Sequence, residues 1–155
     1  MVRRYLEDYA PGDVAEVGTV QVSAEEIVAF AKRYDPQPFH VDPEIAKTWP
    51  YGGLIASGWH TAAMAMRVLV DRFIDGETSL GSPGLGPIRW KLPVRPDETL
   101  RVRARVTNVE RSQTKPDRGT LTFELEVRNQ RDETVMIIEN WIAIVRTRPQ
   151  TEAAG

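Results

Sequence analysis

Between Ser57 and Phe73 the chain carries apolar residues on nearly every side of a helix: Ala62, Ala63, Met64, Ala65, Met66, Val68, Leu69, Val70 and Phe73. A helix of that kind needs other structure around it. The apolar run from Leu54 to Val70 is broken by Ser57, His60, Thr61 and Arg67, so it falls short of the roughly 20 apolar residues that a bilayer span requires. The expectation is a buried helix wrapped by the protein's own chain, with no membrane role.

The wrapping material follows it. Leu100, Val102, Ala104 and Val106 alternate with Arg101, Arg103, Arg105 and Thr107, and Leu121, Phe123, Leu125 and Val127 alternate with Thr122, Glu124, Glu126 and Arg128. That period of two marks half-buried antiparallel strands. Val135 to Val145 is apolar on both faces apart from Glu139 and Asn140, as in a central strand. Asn129 to Asp132 suits a hairpin turn, and Val14–Val22 and Pro87–Val94 add two strand candidates. The Gly- and Pro-rich stretch from Gly76 to Pro87 reads as a connecting loop.

Upstream, Ser23-Ala24-Glu25-Glu26 forms a capping box, and Ile27, Phe30, Ala31 and Tyr34 follow at helical spacing, predicting a helix over about 24–34. Pro36 disfavours helical backbone at Asp35 and ends it. A short helical turn from Pro43 to Thr48, capped by Asp42, comes next. The sum is an α+β protein, a long central helix wrapped by a curled antiparallel sheet of about five strands. A chain of 155 residues suits one domain, here 1–148 with a flexible tail over 149–155.

With no cysteine, disulfides, thiolate metal sites and a cysteine nucleophile are excluded. A net charge of −2 argues against nucleic acid as a partner. Residues 1–14 lack the apolar core of a secretory signal, so the expected location is the cytoplasm. Of the 20 basic residues, 16 are Arg. The Arg101, Arg103, Arg105 stripe faces Glu124 and Glu126 in the predicted pairing and is expected to be an ion-paired surface.

Chemistry concentrates in two places. Asp35 and His40 lie five residues apart in Asp35-Pro36-Gln37-Pro38-Phe39-His40, where two prolines can hold a carboxylate and an imidazole at fixed separation for acid–base work. Alternatively, Asp35 satisfies backbone at a helix end and His40 caps the next turn. Asp35, His40 and Asp42 make an incomplete metal set, so no metal is expected. The second place is Ala56-Ser57-Gly58-Trp59. With Ser57 as N-cap, its hydroxyl would accept from Trp59 or His60 N–H, leaving the Gly58 N–H free at the positive helix end for a developing oxyanion. An ordinary cap is the alternative. Proline, tolerated at a first helical position, would be expected to fit at 58. Phe39, Trp49, Tyr51 and Trp59 would line an apolar pocket or join the core. His60 reads as a hydrogen-bonded buried histidine without a catalytic part.

Tyr34-Asp35-Pro36-Gln37-Pro38-Phe39-His40-Val41-Asp42 followed by Gly52-Gly53-Leu54-Ile55-Ala56-Ser57-Gly58-Trp59-His60-Thr61 resembles the MaoC-like dehydratase family, which includes the R-specific enoyl-CoA hydratases. Pro11-Gly12-Asp13 and Leu92-Pro93-Val94-Arg95-Pro96-Asp97-Glu98-Thr99-Leu100 extend the resemblance over most of the chain. It implies a hotdog fold and a homodimer or higher homo-oligomer with sites near the interface. It also implies a catalytic pair at Asp35 and His40, and a thioester carbonyl held by the Gly58 N–H, with Gln37, Phe39, Ser57 and Trp59 around the substrate. Many relatives carry Asn at Gln37 and His at Ser57. The activity implied is reversible hydration of a 2-enoyl-CoA to an (R)-3-hydroxyacyl-CoA. No cofactor is called for, since the CoA thioester is the substrate. A hotdog thioesterase and a non-catalytic acyl-CoA or acyl-carrier binding subunit are the alternatives.

Overall fold

The computed structural model describes residues 2–150, so most of the tail expected over 149–155 lies outside the described residues. After a 3₁₀ turn at Leu6–Asp8 come β1 (Val14–Gln21), α1 (Ala24–Tyr34), α2 (Pro38–Val41), α3 (Pro43–Ala46) and α4 (Gly58–Arg72). The chain finishes with β2 (Ile88–Trp90), β3 (Thr99–Arg111), β4 (Arg118–Arg128) and β5 (Thr134–Arg146). The strands form one antiparallel sheet in the order β1-β3-β4-β5-β2. The sheet curls around α4 without closing, in the hotdog arrangement.

The period-two pattern is what builds it. Leu100, Val102, Ala104 and Val106 of β3 and Leu121, Phe123, Leu125 and Val127 of β4 are buried together against α4. β1 approaches the helix at Gly18, where an added Cβ would lie 3.0 Å from Val68 Cγ1. The outward arginines are ion-paired, Arg105 to Glu124, Arg103 to Glu16 of β1 and Arg101 to Asp132. Glu126 instead holds Arg128.

Three expectations need correcting. β4, not β5, is the middle strand. β5 is nonetheless covered on both edges, because the loop predicted over 76–87 runs beside it and hydrogen-bonds to it through Leu80 N–H and Gly84 C=O. β2 spans three residues where eight were expected, since the N–H groups of Lys91 and Leu92 converge on the one carbonyl of Val135 and Pro93 has no N–H to continue a ladder. Finally, α4 is not enclosed all round: Met66 and Val70 are 38% and 40% exposed, leaving an open apolar stripe.

Candidate active site

α1 delivers Asp35. The Ser23 hydroxyl accepts from Glu26 N–H at 3.1 Å, starting a helix whose last bond is Asp35 N–H to Ala31 C=O. Pro36 then turns the chain away. The segment from Pro38 forms the one-turn α2, with Pro38 at its first position and His40 inside it. Proline is compatible with that position, where its missing N–H would bond nothing. The turn buries the imidazole against the strand-like segment preceding α4, where His40 Nδ1 lies 2.7 Å from the carbonyl oxygen of Ile55. A carbonyl can only accept, so Nδ1 donates to it, and in the neutral form of the ring the lone pair lies on Nε2.

His40 Nε2 faces Asp35 Oδ2 at 3.4 Å. Both carboxylate oxygens of Asp35 are also held by donors. Gln37 Nε2 donates to Oδ1 at 2.8 Å and Ser57 Oγ donates to Oδ2 at 2.7 Å. Desolvation pushes the Asp35 carboxyl up, but the bonds from Ser57 and Gln37, together with His40, outweigh it and hold its pKa below the ordinary value. Asp35 is therefore an ionised acceptor at neutral pH.

Ser57 occupies the N-cap position of α4, but its hydroxyl makes no capping bond. That corrects the expected contact with Trp59 or His60: the side chain turns to Asp35, and only the Ser57 carbonyl serves the helix, accepting from His60 and Thr61 N–H. The Gly58 N–H at the first helical position has no intrahelical partner, by the geometry of any α-helix. A proline at 58 would not fit freely, because an added Cβ would lie 2.7 Å from Nε1 of Trp90.

Asp35, Gln37, Phe39, His40, Gly58 and Trp59 meet around one cavity of about 420 Å³, with Ile55, Ala56 and Val94 buried in its wall. Ser57 reaches it only through Asp35. Phe39 packs against Trp49 and Tyr51, as their proximity in sequence suggested. Trp59 leaves that cluster and meets Trp90 edge-on at 5.4 Å. Trp90, Lys91 and Leu92 of the lining were not anticipated; they arrive through the pairing of β2 with β5, which their own sequence does not announce. A second cavity, about 480 Å³, is lined by Arg3, Arg111, Arg146 and Arg148 and contains no histidine. Arg3, Arg111 and Arg148 are already bound to carboxylates.

His60 lies outside the cavity, stacked on Phe30 at 4.6 Å. Its expected hydrogen bond is missing: Nδ1 is buried with no partner among the described residues. Burial lowers its pKa, against a smaller opposing effect of Glu26, so the ring is neutral. Among the described residues no group of three His, Asp or Glu side chains is placed to hold a metal ion, and no helix is long and apolar enough to cross a membrane.

The family profile of the MaoC like domain matches residues 9–129, a span that takes in β1, the whole cavity wall and most of the sheet. The chain belongs to the MaoC-like dehydratase family. This MaoC-like protein is 39% identical to a crystal structure of the MaoC-like dehydratase from Rhodospirillum rubrum, with a TM-score of 0.86 over 95% of this chain and 99% of that one. It is 30% identical to the uncharacterized protein YdeM of Bacillus subtilis over 92% of this chain and 99% of YdeM. It is also 31% identical to 3-hydroxyacyl-thioester dehydratase Z of Mycobacterium tuberculosis, over 63% of this chain and 66% of the relative.

Proposed function

We propose that this MaoC-like protein is a hydratase/dehydratase that adds water reversibly across the C2–C3 double bond of a 2-enoyl-CoA, giving the (R)-3-hydroxyacyl-CoA. The observation that carries the reading is the facing of Asp35 Oδ2 and His40 Nε2, at 3.4 Å, in the cavity that Gly58 also lines. Its kinship with a 3-hydroxyacyl-thioester dehydratase supports the reaction class.

The chemistry follows from the atoms. A thioester oxygen at the Gly58 N–H draws electrons from the conjugated double bond and makes C3 electrophilic. A water held between Asp35 and His40 has an ionised carboxylate on one side and the Nε2 lone pair on the other. Its oxygen bonds to C3 as the pair takes one of its protons, and a proton returns from the pair to C2. Microscopic reversibility assigns the same groups to dehydration. These groups suffice without a cofactor, the CoA thioester being substrate. The open stripe on α4 and the outer edge of β2, which no strand among the described residues covers, support association of a second copy of the chain.

Chromatography of crotonyl-CoA incubated with the protein tests the reading. Appearance of 3-hydroxybutyryl-CoA is expected. Free CoA would make the protein a thioesterase, with water attacking C1 instead of C3, and tight binding without product would make it a non-catalytic acyl-CoA binding subunit.

A further inference from the structure

Trp90 belongs to β2, one of the two edge strands, yet its indole reaches the first turn of α4. Nε1–H donates to the Gly58 carbonyl at 3.0 Å. The ring lies so close over Gly58 that an added Cβ would come within 2.7 Å of Nε1 and 2.8 Å of Cδ2, where 3.0 Å is already essentially forbidden. The indole is tied at Nε1 and met edge-on by Trp59, so stepping aside would break its bond to the Gly58 carbonyl. Residue 58 has helical backbone, which any L-residue adopts, so Trp90 rather than backbone conformation confines this position to glycine.

The residue that Trp90 grips is the one whose N–H the proposed mechanism assigns to the thioester oxygen. We infer that Trp90 is a positioning residue: its indole fixes the first turn of α4, and so the direction of the Gly58 N–H, while forming the cavity wall beside that donor. The positioning role rests on the proposed hydratase reading. The steric lock between 58 and 90 does not.

Four variants separate the two parts: Gly58→Ala, Trp90→Ala, Gly58→Ala/Trp90→Ala and Trp90→Phe. Trp90 is 43% exposed, so its truncation leaves no hole in the core. On helical backbone, alanine in place of glycine stabilises by restricting the unfolded chain. With Trp90 removed, Gly58→Ala should therefore raise the thermal midpoint, by up to about 2–4 °C. With Trp90 present it should lower it. Steady-state kinetics with crotonyl-CoA read the positioning. Trp90→Ala should lower kcat about tenfold with KM changed by less than about threefold, the signature of an interaction felt mainly in the transition state. Trp90→Phe, which keeps a ring over Gly58, should recover part of that loss, and the double variant should be no worse than Trp90→Ala. A midpoint that moves in the same direction in both backgrounds overturns the lock. An unchanged kcat in Trp90→Ala overturns the positioning. If the wild type hydrates no enoyl thioester, the functional reading and the positioning role fall together, and the sign of the midpoint shift still decides the lock.

Discussion

Ser57 donates a hydrogen bond from its hydroxyl to Asp35 Oδ2 at 2.7 Å, across 22 residues of chain, although it stands where it could cap its own helix. The N-cap bond it forgoes is typically worth about 1 kcal/mol. Its place is taken by a charge-assisted bond to a fully desolvated donor, since Ser57 has no exposed surface. The helix start and the carboxylate are thereby fixed to one another, which aligns Gly58 with the Asp35–His40 pair.

Ser57→Ala should raise the Asp35 pKa, because it removes the largest of the interactions favouring the ionised form. Since the wild-type carboxyl lies below its ordinary value, the acid limb of kcat/KM should move to higher pH in the variant. Stability follows the same sign. Asp35 contributes stabilisation that is present above the ordinary carboxyl pKa of about 3.9 and lost as pH falls through its lowered folded value, and this contribution should shrink in Ser57→Ala. A pH–rate profile that superimposes on the wild type would count against the role given to Ser57.

His60 should make the fold acid-sensitive in a window where Asp35 does not titrate. In the unfolded chain a histidine binds a proton below about pH 6.5, while burial holds the folded pKa of His60 lower. Protonation thus favours unfolding, so stability is full above about 6.5 and declines as pH falls toward the folded value. His60→Phe removes the unpartnered Nδ1 and keeps an aromatic ring against Phe30. It should flatten denaturant stability between pH 7 and 5 and raise it at pH 7 by about 1 kcal/mol or more, the penalty of an unsatisfied buried group. A slope unchanged in His60→Phe would place the acid sensitivity elsewhere.

Association should depend on the open stripe of α4. Met66 and Val70 border an apolar hollow with Ile74 and Trp141, and such a surface commonly marks a protein–protein contact. Light scattering of the wild type should give at least twice the chain mass. Val70→Lys should shift the population toward monomer without unfolding it, since Val70 is 40% exposed. A wild type that stays monomeric at micromolar concentration contradicts the expectation.

Much of this architecture is readable before any coordinates, for local reasons. The α1 boundaries follow from the Ser23 cap and from Pro36, and the buried faces of β3 and β4 follow from alternation, because both signals lie within a few residues of what they determine. Asp35 and His40 stand out because two prolines lie in the segment between them. What the sequence conceals depends on long-range placement. Nothing near Ser57 reveals that its hydroxyl prefers a carboxylate on another element to its own helix. The contact of Trp90 with Gly58 joins positions 32 apart through the register of Trp90 opposite Met136 in β5. The one-turn α2 has too few residues for a periodic signal, and Pro38 at its first position is compatible with helix without announcing one.

Asp35 is proposed to act with His40 on a water added to an enoyl thioester. That role is tested most directly by following the conjugated enoyl absorbance of crotonyl-CoA with wild type and Asp35→Asn at equal concentrations, both confirmed folded by circular dichroism. Asparagine keeps the size of the side chain and an acceptor for Ser57 while removing the charge. Rapid loss of absorbance is expected with the wild type, and a rate lower by about 10²–10⁴-fold in Asp35→Asn, the usual worth of an acid–base group. A folded Asp35→Asn protein working at near the wild-type rate would contradict that role.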